Sequence, residues 1–399
     1  MSFINIYINR KKLLHNITVL KTLNEIDNKY DKKFLFACIK ANAYGHGLAQ
    51  IAKILYDHVE MYCVADAFEY HELINQNIFK PTLLLYSYNQ EILENCQNYK
   101  YIRFCPNNLY SLKEIANFAT TKQIKLKIHL QFNTGMSWAG LEINEIDEAI
   151  KIIQDCVFID LEGIWTHFAT SDNSTDYSYY IEQGTKFQQI CEIFKTKNIN
   201  LKYIHANNTG GILNDNSKSL NQHCNSSRTG IGLYGYYPDK GQKEFYDQEK
   251  LNLKPILELT CKPQSINLLK TGESLGYGNT FKTKKQTVIA NLPIGYSHGL
   301  SRNHTNSGQV MITNSKELYP IIGRVSMNAC FIDITDYCLQ NQINFNSHIN
   351  DKEINKLLEL EFSLINDDIN CDTWADIDKT ISYEVLTRLN SNIPRSIIE

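Results

Sequence analysis

The sequence predicts an α/β protein in which a (β/α)8 barrel is followed by a C-terminal all-β domain. Two observations lead to this prediction. Eight short apolar runs alternate with helical patterns through the first part of the chain, and such alternation is typical of a (β/α)8 barrel. After about Asp239 the runs are rich in β-forming residues and are separated by Gly, Asn and Pro, which indicates a β domain. We place the barrel in residues 1–240 and the β domain in residues 241–399.

The first barrel strand is predicted at 34–39, where six apolar residues in a row are typical of a buried parallel strand. The other seven predicted strands share this brevity and composition and lie at 61–65, 82–86, 101–105, 125–132, 157–168, 201–207 and 228–234. Apolar residues at helical spacing predict helices at 9–23, 48–56, 112–118, 146–153 and 180–194.

The β domain is predicted from five further runs, at 256–266, 287–292, 309–312, 319–322 and 330–334. The segment 336–372 differs from them because it is polar and rich in asparagine. We interpret it as a surface insertion and expect no catalytic residue in it.

Composition excludes several classes of protein. A net charge of -3 gives no electrostatic reason to expect binding to nucleic acid or to an anionic membrane. No apolar run is long enough to span a bilayer, and the first residues lack the order of a signal peptide. The 11 cysteines are scattered without a CxxC pair, so neither a metal site nor a disulfide framework is expected. Buried free thiols in a reducing cytoplasm are the expectation.

The stretch 34–47, FLFACIKANAYGHG, carries the strongest functional signal. It places Lys40 at the carboxyl end of a predicted barrel strand, where such barrels carry their catalytic groups. Taken by itself, a surface lysine is the more common case. However, KANAYGHG closely resembles the pyridoxal-phosphate signature of the alanine racemase family, in which the lysine carries the cofactor as a Schiff base. The resemblance covers nearly the whole chain, including the order of barrel and β domain.

The resemblance implies a complete set of cofactor contacts. Lys40 is the attachment point, His167 in GIWTHFA lies against the cofactor ring, and Arg228 in RTGIGLYG faces the pyridine nitrogen. The positions that match phosphate-binding residues are Tyr44, Asn208, Thr209, Gly230, Ile231 and Tyr383. Because arginine can only donate hydrogen bonds, the pyridine nitrogen stays largely unprotonated, which suits a racemase that must return a proton to the α-carbon.

The resemblance also implies which residues move the proton. Racemisation needs a base on each face of the α-carbon, and the matching residues are Lys40 and Tyr277, the latter in GESLGYGNTF. In the family this tyrosine reaches the active site of the other subunit, which implies a homodimer with shared active sites. Met327 matches the residue whose backbone N–H binds the substrate carboxylate, and Tyr296 matches a residue at the entrance.

The predicted substrate end departs from the family pattern. Gln131 stands where relatives usually have a lysine, often carbamylated, and Trp138 stands where they have the arginine that binds the substrate carboxylate. Asn133 replaces an aspartate and is more similar to the broad-specificity amino-acid racemases. We include Asn133 and Trp138 among the expected substrate-binding residues. Without the arginine, another cation such as Arg302 would have to take its place.

Several functions remain open at this point. An alanine racemase is the first, and a racemase for serine or for larger or basic amino acids is the second. A fold-related decarboxylase would offer a carboxylate to the pyridine nitrogen, and Arg228 argues against it. A non-catalytic pyridoxal-phosphate carrier lacks a second domain, so the β region argues against it, although Trp138 keeps it open.

Overall fold

The computed structural model of the protein describes residues 3–25, 33–86, 90–95, 98–214, 223–248, 252–313, 315–346 and 348–399. The chain forms two compact units. The barrel unit comprises Lys11–Tyr44 and Leu48–Lys254, and the β unit comprises the residues up to Arg10, the segment Gly45–Gly47 and the chain from Pro255 onward.

The barrel unit contains a closed barrel of eight parallel strands whose spatial order follows the sequence. Counting Ile4–Asn9 as β1, these strands are β2 (Phe34–Cys38), β3 (Met61–Val64), β4 (Thr82–Leu84), β5 (Ile102–Phe104), β6 (Leu126–Gln131), β7 (Ile159–Trp165), β8 (Tyr203–His205) and β9 (Ser226–Thr229). All eight predicted barrel strands are confirmed. The extent of the last was wrong, because the N–H groups of Gly230 and Gly232 bond to the Thr209 hydroxyl and the chain turns there.

Helices follow the strands of the barrel, and the predicted helices are all present. In the described part of the first 248 residues, right-handed α-helices span Arg10–Glu25, Leu48–Leu55, Ala67–Asn75, Gln90–Asn95, Leu109–Lys122, Ile146–Asp155, Ser178–Thr196, Thr209–Ile212 and Lys240–Gln248. Side chains cap several of their first turns. Asn108, for example, accepts from the Ser111 N–H at 2.7 Å while the Ser111 hydroxyl accepts from the Asn108 N–H, which is a capping box.

The β unit is built on a nine-stranded sheet. Besides β1, the described strands of the unit are β10 (Leu257–Cys261), β11 (Ser265–Leu269), β12 (Ser274–Leu275), β13 (Phe281–Lys282), β14 (Thr287–Leu292), β15 (Gln309–Ile312), β16 (Leu318–Ile322), β17 (Cys330–Asp333), β18 (Phe362–Ile365) and β19 (Arg395–Ile398). β12 and β13 pair with each other as a separate two-stranded ribbon, and the others belong to the sheet. The strand order in the sheet is β11-β14-β17-β16-β15-β18-β10-β1-β19. The predicted run 256–266 is two strands, because the chain turns between Cys261 and Ser265.

Three strands of this sheet, β1, β18 and β19, lie where the sequence analysis placed none. β1 pairs antiparallel with β10 and parallel with β19, so the first strand of the chain lies in the β unit although the sequence boundary put it with the barrel. β18 is buried and pairs with β10 and β15, so the segment interpreted as a surface insertion contributes a strand to the sheet. Four helices complete the unit, at Thr335–Gln340, Asp351–Leu358, Cys371–Asp378 and Ser382–Thr387.

The fold shows the state of the cysteines and the character of the helices. The ten cysteines in the described residues are all buried and none forms a disulfide. Among the helices that the structure describes, none combines the length and the apolar character that crossing a membrane requires.

Candidate active site

Lys40 opens a single turn of left-handed backbone directly after β2. Ala41, Asn42, Ala43 and Tyr44 all have φ between 52 and 54°, a region that costs a residue with a Cβ roughly 1–2 kcal/mol. Four such residues in succession persist only where the surrounding structure holds them. The turn therefore indicates that the position of Lys40 is fixed at some cost to stability, which is typical of functional sites.

Partly buried hydrogen bonds hold this turn. One carboxylate oxygen of Glu69 accepts from the Asn42 N–H at 3.1 Å, and the other accepts from the Ala65 N–H at 2.8 Å. The Asn42 side chain accepts from the Leu48 N–H at 2.8 Å. Burial raises the pKa of Glu69, although its hydrogen bonds to backbone N–H groups oppose the shift. Glu69 thus fastens the turn of Lys40 to the end of β3.

A cradle of donors forms where β8 and β9 end. The Thr209 hydroxyl accepts from the Gly230 N–H at 3.1 Å and from the Gly232 N–H at 3.3 Å. The Tyr44 hydroxyl lies so close to Gly230 that any Cβ there would overlap it, and the ring carbon Cζ would be only 3.0 Å away. Asn208 caps the turn, because its side chain accepts from the Gly211 N–H at 2.9 Å. Hydroxyl and backbone N–H groups converging in this way fit a phosphate.

Replacing Gly230 by alanine should weaken cofactor binding about tenfold or more, since the loss of one hydrogen bond to a charged group has that effect. The new methyl group would force the Tyr44 phenol out of the cradle. Titrating the apo-protein with pyridoxal phosphate while following its absorbance measures the change. Tyr44→Phe is the matched comparison, because it removes the same hydroxyl without any overlap. If the double variant loses no more affinity for the cofactor than either single variant, the two changes act through one contact. Additive losses of affinity would contradict this explanation.

Arg228 lies in the barrel interior and is held as a donor on several sides. Its Nη2 donates to the carbonyl oxygens of Thr166 at 2.8 Å and Ala206 at 3.2 Å, and to His167 Nδ1 at 3.2 Å. Its guanidinium lies 4.7 Å from the centre of the Trp165 ring. These contacts fix the plane of the guanidinium before any ligand binds.

Arg228 also begins a buried row of polar side chains, which we call the interior relay: Arg228, His205, His129 and Glu162. Because arginine cannot accept, its Nη1 donates to His205 Nδ1 at 2.7 Å. The proton of His205 is then on Nε2, which donates to His129 Nδ1 at 2.8 Å. The proton of His129 is on Nε2 and faces Glu162 at 3.5 Å, a distance too long for a strong hydrogen bond. Every donor in the relay points from Arg228 toward Glu162.

Burial and nearby positive charge keep His129, His167 and His205 neutral. Burial lowers the pKa of His205 well below its usual value, and the charge of Arg228 adds to this effect. Burial also lowers the pKa of His129, although Glu162 opposes the shift. For His167, burial and the charges of Arg228 and Lys40 lower the pKa to about 3. A neutral His167 can accept from Arg228 and lie against an uncharged ring.

Glu162 is the carboxylate at the end of the interior relay. Burial alone raises its pKa, but the nearby His129, the hydrogen bonds from Arg103 and the contact with Lys127 outweigh burial and hold the pKa well below its usual range. Arg103 Nε lies 2.8 Å from one carboxylate oxygen, and Lys127 Nζ lies 2.7 Å from the other. The barrel interior therefore carries a paired carboxylate beneath the candidate site.

The loop after β6 contains the departures from the family pattern. Asn133 is engaged at both ends of its side chain: its Nδ2 donates to Glu142 at 2.8 Å, and its Oδ1 accepts from the N–H groups of Gly135 and Ser137 at 3.0 Å. Asn133 thus shapes the loop. Trp138 is 57% exposed and stacks on His167 with ring centres 6.0 Å apart. Gln131 is buried at the end of β6.

The β unit carries a second group of predicted site residues. Tyr277 is 72% exposed in a tight turn between Gly276 and Gly278, both of which have positive φ. A Cβ on Gly278 would lie 3.0 Å from Nη1 of Arg324, so this guanidinium lies against the turn of Tyr277. The sequence analysis named Arg302 as a substitute cation and missed Arg324.

Tyr296 and Met327 lie on two turns that are bonded to each other. The Tyr296 N–H donates to the Ser326 carbonyl at 3.1 Å, and the Met327 carbonyl accepts from the N–H and hydroxyl of Ser297 at 3.0 and 2.8 Å. Both Tyr296 and Met327 have exposed side chains. The segment from Arg324 to Met327 therefore contacts the turn of Tyr277 as well as that of Tyr296.

Tyr383 is half-buried on the helix Ser382–Thr387 of the β unit. The same helix packs against Gly45, where any Cβ would overlap the Leu386 carbonyl. Arg395 adds a hydrogen bond at 2.9 Å from its Nε to the Gly45 carbonyl. The glycine that directly follows Tyr44 is thus fixed by this helix and by β19.

Sequence reasoning missed the residues that act on the site through others. These are Glu69, which holds the Lys40 turn, the members of the interior relay other than Arg228, and Tyr86, whose hydroxyl lies 3.1 Å from Lys40 Nζ. Tyr86 alone offered a local signal, since it ends the predicted strand 82–86 where barrels carry functional groups. The others become visible only from contacts between distant strands.

The fold and the donor set together define a barrel-type pyridoxal-phosphate enzyme with a C-terminal β domain. A reactive amine, a phosphate cradle and a buried donor for a ring nitrogen are the groups that this cofactor requires. Residues 8–238 match the family model for the alanine racemase N-terminal domain, and residues 256–397 match that for the C-terminal domain. The chain therefore belongs to the alanine racemase family.

Individual relatives agree with this assignment. An alanine racemase of Clostridium kluyveri is 31% identical over 395 residues, which are 98% of this chain and 93% of that protein. The structure of an alanine racemase from Clostridium difficile 630 is similar with a TM-score of 0.84 at 26% identity, covering 100% of this chain and 96% of that one. The fold is also that of an alanine racemase from Bartonella henselae with covalently bound pyridoxal phosphate, with a TM-score of 0.77, 22% identity and 100% of each chain covered.

Proposed function

We propose that the protein is a pyridoxal-phosphate-dependent isomerase that interconverts L- and D-alanine. The observation that carries the proposal is the match of both family domains, over residues 8–238 and 256–397. A match of the second domain also counts against a carrier that consists of a barrel alone. Pyridoxal phosphate, when bound, withdraws electrons from the α-carbon of an amino acid and makes its proton acidic.

The residues of the barrel unit would hold the cofactor. Lys40 would attach it, and Tyr44, Asn208, Thr209, Gly230 and Ile231 would surround the phosphate, joined by Tyr383 of the β unit. His167 would lie against the ring. Both terminal nitrogens of Arg228 are engaged with the protein, so we assign its Nε–H to the ring nitrogen. Because Arg228 supplies a hydrogen bond and no transferable proton, the α-carbon remains the atom to which a proton returns.

Lys40 and Tyr277 would be the two bases, one on each face of the α-carbon. Lys40 gains or loses a proton at Nζ, and Tyr277 does so at its hydroxyl. The exposure of Tyr277 supports a role toward a partner, and we propose a homodimer in which Tyr277 of the partner subunit completes each site. The resemblance to the family is the basis for this arrangement.

Substrate recognition would rest on the β unit. Met327 would bind the carboxylate through its backbone N–H, and the Ser326 carbonyl of the same peptide group already accepts from the Tyr296 N–H at 3.1 Å, which fixes the orientation of this peptide. Tyr296 would line the entrance. On the barrel side, Trp138 offers an apolar indole face stacked on His167 in place of an arginine, and Asn133 shapes the loop that carries it.

A screen of L-amino acids for formation of the D-enantiomer tests the function directly. Alanine should react, and the purified protein should contain pyridoxal phosphate that borohydride fixes to the Lys40 peptide. Because Gln131 cannot form a carbamate, adding or removing bicarbonate should leave the rate unchanged. If serine or a basic amino acid reacts faster than alanine, the protein is a racemase of different specificity. If no amino acid is converted to its D-enantiomer, the proposal is contradicted.

Changing Gln131 to lysine together with Trp138 to arginine should lower the Michaelis constant for alanine about tenfold. The arginine restores a charge-assisted contact to the carboxylate, which is worth about 1.5–3 kcal/mol, and the lysine restores the carbamate that orients it. Trp138→Arg alone should help little, because Gln131 offers only a neutral hydrogen bond. Steady-state kinetics of the wild type, both single variants and the double variant measure this. A wild type that already binds alanine as tightly as the double variant would show that another group has replaced the arginine.

The compartment is part of the proposal. The ten described cysteines are buried without disulfides, and free thiols persist in a reducing compartment. We therefore propose that the protein acts in the cytoplasm. Small-molecule amino acids are its proposed partners, together with a second copy of the chain.

A further inference from the structure

The hydroxyl of Tyr86 contacts the amine of Lys40, although the sequence analysis assigned Tyr86 no role. It lies two residues beyond the end of β4, and its hydroxyl is 3.1 Å from Lys40 Nζ. The amine also lies 4.8 Å from the centre of the Tyr86 ring. The side chain is 42% exposed, so it faces the open end of the site while it touches the amine.

The backbone holds Tyr86 in this place from its own side. Its N–H donates to the Ala65 carbonyl at 3.2 Å, and the Ala65 N–H donates to Glu69. Glu69 in turn accepts from Asn42 in the turn of Lys40. One short path of hydrogen bonds therefore links the backbone of Tyr86 to the backbone beside Lys40, and it fixes the distance between the two side chains.

The chemistry of the pair suits an amine that gains and loses a proton. Lysine Nζ carries N–H groups in both its charged and its neutral form, and a phenol oxygen can accept from either. The contact therefore survives proton transfer. When the amine is neutral, the N–H directed at Tyr86 leaves the lone pair free to point elsewhere. When the amine is charged, the nearby ring face stabilises it further.

We propose that Tyr86 is a positioning residue for Lys40 during proton transfer, an inference that rests on the proposed function. The state that matters is the one in which Lys40 is detached from the cofactor. In that state the α C–H bond breaks, its electron pair stays on the carbon side, and the proton forms a new N–H bond on Lys40. Tyr86 holds Nζ in place before and after this transfer, and the reverse direction uses the same contact.

The two directions of racemisation differ in which residue removes the α-proton. Lys40 takes the α-proton in one direction and returns it in the other, while Tyr277 does the opposite. Weakening only the Lys40 step makes that step limit the rate in both directions. The equilibrium between the enantiomers is fixed at equal amounts, so kcat/KM must fall by the same factor both ways.

The isotope effect of α-deuterated alanine separates this role from a structural one. Where Lys40 removes the deuteron, Tyr86→Phe should raise the isotope effect on kcat/KM, because that step becomes more limiting. Where Tyr277 removes it, the isotope effect should fall. A variant that only loosens the fold would lower the rates without moving the two isotope effects in opposite directions.

The variant Tyr86→Phe keeps the ring and removes only the hydroxyl, so we expect kcat/KM to fall about tenfold in both directions, as loss of a hydrogen bond to a charged group predicts. Tyr56→Phe is the matched control. The Tyr56 hydroxyl donates to the Phe79 carbonyl at 3.0 Å, and the Tyr56 ring lies 5.0 Å from Lys80 Nζ. The Tyr56→Phe variant therefore loses a phenol hydroxyl beside a lysine elsewhere on the barrel, and it should keep the wild-type rate.

A second measurement does not depend on turnover. Apo-protein mixed with pyridoxal phosphate should capture it about tenfold more slowly in Tyr86→Phe than in the wild type or in Tyr56→Phe, as followed by absorbance. Borohydride reduction and peptide mapping should place the cofactor on Lys40 in all three proteins. Wild-type protein without cofactor on Lys40 would overturn the proposed function and this inference with it. A wild type labelled at Lys40, with isotope effects and capture unchanged in Tyr86→Phe, would overturn the role of Tyr86 alone.

Discussion

Mixing an inactive Lys40→Ala protein with an inactive Tyr277→Phe protein should restore activity. Each change removes one base, and losing a general acid–base group costs about 10²–10⁴-fold in rate; Lys40→Ala also removes the attachment of the cofactor. If each site combines Lys40 of one subunit with Tyr277 of the partner subunit, a mixed dimer contains one intact site. Random pairing in such a symmetric dimer would restore roughly a quarter of the wild-type sites.

The control for this experiment lacks any route to an intact site. Lys40→Ala mixed with the double variant Lys40→Ala, Tyr277→Phe should remain inactive under the same conditions. Exchange of subunits can be followed with two differently tagged proteins and mass spectrometry. Inactive mixtures in which exchange is demonstrated would argue that each subunit forms its site alone.

Replacing Glu162 by glutamine should lower the free energy of unfolding of the barrel by about 3–5 kcal/mol, the usual cost of removing one partner from a buried ion pair. The side chain of Glu162 is only 3% exposed, and its carboxylate contacts the equally buried Arg103. Glutamine has the same shape but leaves Arg103 without a counter-charge and breaks the end of the interior relay. Urea unfolding of both proteins at neutral pH measures the difference.

Glu148→Gln provides the matched control. Glu148 and Lys113 form a pair with a 2.7 Å contact in which both side chains are about half exposed, and such pairs contribute about 0–1 kcal/mol.

The contribution of Glu162 to stability also depends on pH. Because the partners of Glu162 hold its pKa below that of an unfolded carboxyl group, this contribution is complete above about pH 4.3. It is lost as the pH falls through the lower folded value, so the wild type and Glu162→Gln should converge in acid. Equal effects of Glu162→Gln and Glu148→Gln at neutral pH would show that Glu162 is not the counter-charge.

Local sequence patterns were sufficient to place the barrel. Its strands are short apolar runs flanked by turn residues, and the structure places them within a few residues of the prediction. β1 was missed although INIYIN alternates between buried and half-buried residues, a period of two that indicates a strand with one buried face. β18 was missed because its four residues lie inside a long polar segment, whose average composition hides them.

The candidate site was predictable to the extent that it depends on residue identity. Lys40, Thr209 and Arg228 follow from motifs at strand ends. The left-handed turn of Lys40 was not predictable, because two of its four residues are alanines, which carry no preference for positive φ. The interior relay was not predictable either, since its four members come from four neighbouring strands, β6 to β9, and no local motif shows which of their side chains meet inside the barrel.

The position of β1 has a consequence for how the protein is made. β1 is synthesised before both of its partners, β10 and β19, which begin at Leu257 and Arg395. At about 5–20 residues per second, β1 waits roughly 10–50 s for β10 while the whole barrel is synthesised between them. During that time it is an unpaired strand, and Asn5 and Asn9, which alternate with its isoleucines, limit its tendency to pair with other chains. We expect the sheet of the β unit to close last, joining the two ends of the chain after the barrel has formed.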